Sequence, residues 1–569
     1  MKSFRQIIEK DIESALTDLD VSGDLWRRLL SQSRERSQGD LTLPCFPLAK
    51  QLSRSPIDMA DDLVKILGSK HDVSATNGYL NFKANGEWLA ERAIVGKDKL
   101  GAEKILIEHT SANPNGPFHV GRARNAILGD TMVRLYRLNG DEVKAEYYVD
   151  DMGKQVAILA WALANLSSDE VNDVLEDKDE LNPRWAQKAD HARVRWYQAA
   201  QALREQRPEI DQEIAKMVHD SEDGDDSVLV AFEKAYQPVL NGMLETLSRI
   251  GIEFDSFTRE SGFVIDGSVA KVMERLESLE IHGMADNGAH FLDLGARGLK
   301  GKTEFFFRRG DGSSLYATRD IAYHMWKWQQ GFDLLNVLGE DHRLQSKQVG
   351  MALEELGERA PKVIFYAFIK LPEGKMSTRK GNVVYMDDLL DEAKEQAAAV
   401  VRDLRPDLDA DSIEEIAEAV GVSAVRFNII RVSPEKGFTF AWNEALSFEG
   451  NSAPFIMYSH TRACSISRKV GRGSADCTIP VPMNESTKEL LRTIELDAER
   501  LVRSLDESKP HLYANHLLEL ASTFNAFYRD NPVIVDGVVD EFNFAICERA
   551  RRLLHDGMVG IGIVPLTSM

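Results

Sequence analysis

Cysteine is scarce in this chain: four in 569 residues, at Cys45, Cys464, Cys477 and Cys547, with no CxxC pair. That excludes a disulfide-held scaffold and an ordinary cysteine-rich zinc site, and it suits a reducing, cytoplasmic setting. Long apolar runs are missing too; none approaches the roughly 18 residues a membrane span needs. The first residues, MKSFRQIIEKDIESAL, set Phe4, Ile7, Ile8, Ile12 and Leu16 on one helix face, but Asp and Glu interrupt them throughout. They read as neither signal nor transit peptide. Positive charge is in deficit, with 69 Lys+Arg against 91 Asp+Glu and a net charge of −22. Indiscriminate adhesion to polyanions is therefore disfavoured.

The deficit is uneven. Residues 1–92 hold 13 basic and 14 acidic side chains and residues 450–569 hold 13 and 15, so −19 of the −22 falls in between. A nucleic acid would meet the weakest repulsion at the two ends of the chain. The acidic runs Asp169 to Glu180 and Asp220 to Asp226 read as solvated loops.

Four regions follow from the patterning. Residues 1–92 read as a small α+β module, with a helix over Met59–Leu67 and a strand over Tyr79–Phe82. From Lys104 the order becomes strand, Pro/Gly/Asn loop, amphipathic helix (Arg122–Leu138, stopped by Asn139-Gly140) and strand (Val143–Val149). That order opens a doubly wound parallel sheet, the core of an α/β, Rossmann-like domain over 93–385. A helical insertion of about 155–300 interrupts it, and Phe305–Arg308, Leu334–Leu338 and Val363–Leu371 supply later strands. Residues 386–450 read as a helical connector and 451–569 as an all-α bundle.

Two loops carry the chemistry. The first, Ser111–Arg122 (SANPNGPFHVGR), follows the first strand at the edge where doubly wound sheets bind ligands. The next helix points its free N–H groups into that crevice, and His119 and Arg122, three apart, can face one phosphate, with Gly121 between them. The second, GKMSTRKGN at 374–382, follows a late strand and offers Lys375, Arg379 and Lys380 on a Gly-flanked loop able to fold over a polyphosphate. Each loop is weak alone; in this order they place a nucleotide at one crevice.

These residues resemble the HIGH and KMSKS signatures of class I aminoacyl-tRNA synthetases, and more narrowly the arginyl-tRNA synthetases, of a type common in archaea. Gly78–Phe82 (GYLNF) is similar to that family's N-terminal tRNA-contacting domain. Glu146–Gln155 and Leu315–His324 resemble its catalytic segments, and Ile456–Lys469 and Phe524–Val533 its helical anticodon-binding domain. The resemblance implies ATP-dependent ligation of L-arginine to tRNA(Arg) through an arginyl-adenylate, with Mg2+ bridging the phosphates and no structural metal. His119, Arg122 and Lys375 would be catalytic; Gly121, Met376, Ser377, Arg379 and Lys380 would join them around ATP. Glu108, Ser111, Asn113, Tyr316, Asp320 and His342 would bind arginine, and Tyr458 and Phe527 would stack anticodon bases. Two positions depart from the family pattern. Arg122 replaces the second His of the first signature, and Thr378 replaces the central lysine of the second, while Gly116 and Pro117 stand where many relatives with that loss carry a Lys. The alternatives are a class I enzyme for another cationic amino acid, lysine above all, and a non-catalytic tRNA-binding paralogue.

Overall fold

A computed structural model describes residues 3–17, 23–33, 35–96, 101–175, 183–370 and 384–569. Its centre is a five-stranded parallel sheet in the order Lys362–Tyr366, Asp333–Gly339, Lys104–Glu108, Glu142–Val149, Ser256–Arg259. Sheets covered by helices on both faces need strands that are apolar on both faces. The central strand meets that demand, with Ile105, Leu106 and Ile107 all buried.

The helix Val120–Asn139 lies on this strand and is buried nearly all round. Its C-terminus is closed by Gly140 in the left-handed region, as the sequence predicts. It approaches the sheet so closely that a Cβ on Gly129 would lie 2.2 Å from that of His109, a position only glycine fits. Its buried charge is matched: Asp130 accepts from Arg134 at 2.7 Å and from the fully buried Arg426 at 2.5 Å. Arg426 also donates to Ile250 O at 2.7 Å, so one guanidinium joins the sheet, the insertion and the connector.

The insertion's helices run from Lys154 to Arg249, and the chain rejoins the sheet as its edge strand Ser256–Arg259. The expectation for Phe305–Arg308 requires correction. Glu304–Arg308 is a strand of a separate three-stranded antiparallel sheet with His282–Met284 and His290–Asp293. Its alternating burial, Phe305 and Phe307 inward, marks a sheet with one covered face. The connector is mostly two long helices, Met386–Leu404 and Ala410–Ile430, packed together.

The N-terminal module is a four-stranded antiparallel sheet packed with helices. The C-terminal bundle comprises Ala453–Val470, Glu485–Asp506, His511–Asp530 and Glu541–Gly560, each extending a helix the periodicity foresaw. The two ends of the chain meet: Arg492 of the bundle pairs with Asp40 of the module at 2.8 Å, and Arg92 pairs with Glu495 at 3.0 Å. Among the described residues no helix is long and apolar enough to cross a membrane.

Candidate active site

The loop after the central strand is conformationally costly. Thr110 and Ser111 both have positive φ, +68° and +36°, although neither is glycine. Such backbone persists only when its surroundings hold it. Here Asn125 Oδ1 takes the Thr110 N–H at 2.7 Å, and the Ser111 hydroxyl takes the Tyr148 N–H at 3.1 Å. Gln155 Oε1 binds the side-chain amides of both Asn113 and Asn115 at 3.0 Å. The loop is thus shaped by three neighbouring elements before any ligand arrives.

His119 is the N-cap of the helix Val120–Asn139 and its side chain does not cap it, so the imidazole stays available to an anion, while the Val120 and Arg122 N–H groups of the first turn are already taken by Val384 O and His119 O. Burial, reinforced by the Arg122 guanidinium, pushes the His119 imidazole down to about 4. It is a neutral hydrogen-bond partner at neutral pH. Arg122 donates to Asn113 O at 3.3 Å, which fixes it beside the loop. Burial lowers it from its ordinary value, yet a guanidinium remains charged. The fixed positive charge at this helix end is therefore Arg122 and the helix dipole.

The second loop, with Lys375, Met376, Ser377, Thr378, Arg379 and Lys380, lies outside the described residues. Both of its flanks are placed. On the entry side Ile369–Lys370 pairs with Phe438–Thr439, and the buried Arg124 donates to Ser433 O at 2.9 Å and also to Ala367 O. On the exit side Val120 N donates to Val384 O at 3.0 Å and Met386 N to Phe118 O at 2.8 Å, with His119 opposite Tyr385. The chain leaving the second signature is thus stitched by backbone to the first, two segments more than 250 residues apart in sequence.

The other side of the crevice is acidic. Tyr316 and Asp320 are one turn apart on the helix Tyr316–Gln329 and both are partly open to solvent. Asp320 lies 3.1 Å from His324 Nδ1. Burial alone would raise its carboxyl, but His324 and Lys327 outweigh it and hold it below the usual range. Glu108 projects from the central strand, 3.5 Å from the Ser111 hydroxyl. Its other oxygen sits 2.6 Å from the ammonium of Lys327, which is fully buried. Glu108 is therefore already paired with a protein cation, a lysine that the sequence reading did not single out. Behind these lie Asp150, Asp151 and Glu260, and Tyr148, whose buried hydroxyl meets no partner among the described residues. His342 is more than half exposed beside Asp341, at the end of the strand Asp333–Gly339.

Sequence reasoning missed Lys327, Tyr148, Asp150 and Glu260. The run YYVDD (147–151) was the available signal: two consecutive acids at the carboxyl end of an apolar strand are unfavourable unless something cationic comes to meet them.

A buried trio, Asp190, His191 and Asp387, brings ligand atoms within 4.8 Å of one another. Lys188 already supplies the cation there, 3.2 Å from Asp190 and 2.8 Å from Asp387. The trio ties the insertion to the connector just after the second loop.

At the far end, Tyr458 is exposed beneath the guanidinium of Arg462 (4.5 Å), which also lies 5.5 Å from the exposed ring of Tyr528. Phe527 requires correction: it is fully buried in the bundle and offers no face to a base. The helix His511–Asp530 turns Phe527 inward with Phe524, and Tyr528, one position on, outward.

Comparison with known proteins agrees with this geometry. Residues 87–442 match the family described as tRNA synthetases class I (R), catalytic domain; residues 456–569 match the DALR anticodon binding domain, and residues 6–84 the Arginyl tRNA synthetase N terminal domain. The parallel sheet and paired loops thus define a class I aminoacyl-tRNA synthetase. Within that class the chain belongs to the arginyl-tRNA synthetases. It is 40% identical over 536 residues to an arginine–tRNA ligase of Methanocella arvoryzae, covering 92% of each chain. It is 37% identical over 551 residues to one from Archaeoglobus fulgidus, covering 94% of this chain and 96% of that one. Among solved structures it superposes on Thermus thermophilus arginyl-tRNA synthetase with a TM-score of 0.82 at 26% identity, each chain covered in full.

Proposed function

We propose that the enzyme activates L-arginine with ATP and transfers the arginyl group to its tRNA. The observation that carries this reading is an acid-rich pocket opening beside a cationic helix N-terminus on one edge of one sheet. A guanidinium seeks carboxylates and a phenolic acceptor, which Asp320, Glu108 and Tyr316 offer; a triphosphate seeks N–H donors and fixed positive charge.

Arginine's carboxylate attacks the α-phosphorus in line, pyrophosphate departs, and a terminal tRNA hydroxyl then displaces AMP from the adenylate. No protein nucleophile is needed. Catalysis is positioning and charge stabilisation, of which orientation can supply on the order of 7–11 kcal/mol. Ser111 and Asn113 face arginine's amino-acid end. The positive end of the helix Val120–Asn139, with Arg122 and Lys375, takes the charge that develops on the phosphates. His119 acts as a neutral partner and does not carry the proton balance of the step.

Magnesium prefers oxygen ligands, whereas His119 and Arg122 are nitrogen donors. These residues do not form a resident magnesium cage. The ion enters with the nucleotide substrate.

Specificity follows from the acids. Glu108 and Asp320 already have Lys327 and His324 beside them, so a ligand without a guanidinium forfeits the remaining acceptor sites of these carboxylates, and rejection rests on that loss without an editing site. A lysine ammonium is compact and would leave part of the planar acidic set unmatched. The Tyr458–Arg462–Tyr528 stack supports anticodon contact by the bundle, since exposed rings and guanidinium planes stack on bases. Four cysteines without a disulfide suit the cytoplasm.

The test is aminoacylation of total tRNA with each of the twenty amino acids in turn. Arginine alone should be incorporated; incorporation of lysine instead would overturn the assignment. Lys375→Ala should slow pyrophosphate exchange while leaving arginine affinity in place, and an unchanged exchange rate would remove the second loop from the mechanism.

A further inference from the structure

Behind Tyr316 the acids outnumber the cations that could serve them. Arg319 is buried and its guanidinium is divided: Nη1 donates to Glu260 at 2.8 Å and Nη2 to Glu222 at 2.7 Å. Asp151 is satisfied by Ser261, whose N–H and hydroxyl lie at 2.9 and 2.6 Å. Asp150 has neither resource. Its carboxyl lies against that of Glu260, within hydrogen-bonding reach, and among the described residues no donor reaches its buried Oδ1. Asp150 Oδ1 and the Tyr316 hydroxyl flank Gly153, where an added Cβ would stand 3.7 and 3.3 Å from them.

The charged and titratable surroundings are these. Tyr316, Arg319 and Asp320 face the pair from the helix Tyr316–Gln329, and Glu222 from the end of the insertion helix Glu209–Glu222. Tyr148 and Asp151 face it from the end of the strand Glu142–Val149, and Arg309 stands beside Tyr316. Two buried carboxylates in contact do not both stay ionised unless a cation joins them. Burial first and repulsion from Glu260 second raise Asp150; burial raises Glu260 too, against the opposing pull of Arg319.

We propose that Asp150 and Glu260 share one proton in the arginine-free enzyme and that bound arginine expels it, so arginine binding is coupled to proton release. The step balances: the carboxylic O–H bond breaks, its electron pair stays on oxygen, the proton passes to buffer, and the guanidinium compensates the new negative charge. The inference rests on the arginine reading and adds to it a neutral-to-charged switch in the pocket. An empty pocket thereby avoids an unpaired buried charge, and a neutral analogue gains nothing from ionising it.

The test is calorimetric titration of L-arginine into the full-length chain at neutral pH, in phosphate and in Tris, whose ionisation heats differ widely. The observed heats should differ by an amount corresponding to a release approaching one proton per arginine. The arginine Kd should tighten toward tenfold per pH unit as pH rises through this range. Asp150→Asn, which keeps the shape but holds no acidic proton, should bind arginine with buffer-independent heat and a flat pH profile. Should that variant fail to fold, the wild-type pH profile and Glu260→Gln serve the same purpose. Equal heats in both buffers with a flat wild-type profile would overturn the proposal while leaving the arginine reading intact, as would wild-type proton release from Asp150→Asn. A chain that binds another amino acid and not arginine would sink both.

Discussion

Replacing Lys327 by Met removes one charge from the amino-acid pocket while keeping much of the side chain's bulk. The Lys327 ammonium is fully buried, 2.6 Å from Glu108 Oε2, 3.3 Å from Asn336 Oδ1 and 4.2 Å from the centre of the Tyr323 ring. Taking one partner from a buried ion pair leaves an uncompensated charge and costs about 3–5 kcal/mol. The variant should lose about that much stability, read as a lower urea midpoint for the transition that includes the catalytic domain. Arginine should restore part of it. If Glu108 faces the substrate, a guanidinium supplies the missing cation, and a hydrogen bond to a charged group is worth about 1.5–3 kcal/mol. Saturating arginine should therefore stabilise Lys327→Met more than it stabilises the wild type. A variant as stable as wild type would refute the buried-pair account. A destabilised variant that gains no more from arginine than the wild type would show that Glu108 serves only the fold.

Asp320→Ala should raise the arginine KM in pyrophosphate exchange by about 10- to 100-fold, the loss of one charge-assisted hydrogen bond, and leave the ATP KM within about twofold; equal effects on both would move Asp320 out of the amino-acid pocket. Burial pushes the His109 imidazole down to about 4, below its unfolded value of about 6.5, so the folded state resists its protonation. Stability should be full above about pH 6.5 and fall towards pH 4 by up to about 1.4 kcal/mol per unit for this group, and His109→Gln should flatten the curve of urea midpoint against pH. Tyr458→Ala should raise the tRNA KM by about 5- to 100-fold, as for a lost base stack of about 1–3 kcal/mol, with pyrophosphate exchange unchanged; an unaffected tRNA KM would place the anticodon elsewhere.

Elements with a strong period and a clear stop were legible in the chain itself. The helices of the bundle, the helix after the first loop with its Asn-Gly stop, and the three apolar strands at its centre follow from local patterning and turn chemistry, which a linear sequence carries in full. So do the fixed charge of Arg122 in the run His119–Arg122 and the basic character of residues 374–382. Local pattern has no power over partnership. It could not tell that Phe305–Arg308 pairs with His290–Asp293 rather than with the main sheet, because strand alternation states which face is covered and not by what. It read Phe527 as an accessible ring because one helical step, about 100°, separates a buried position from the exposed Tyr528. Above all, it could not assign cations to acids. Glu108 is matched by Lys327, some 219 residues away, Arg319 is shared between Glu222 and Glu260, and Asp150 meets another acid, Glu260. Coulomb energies depend on distances through space, and only the folded chain sets those.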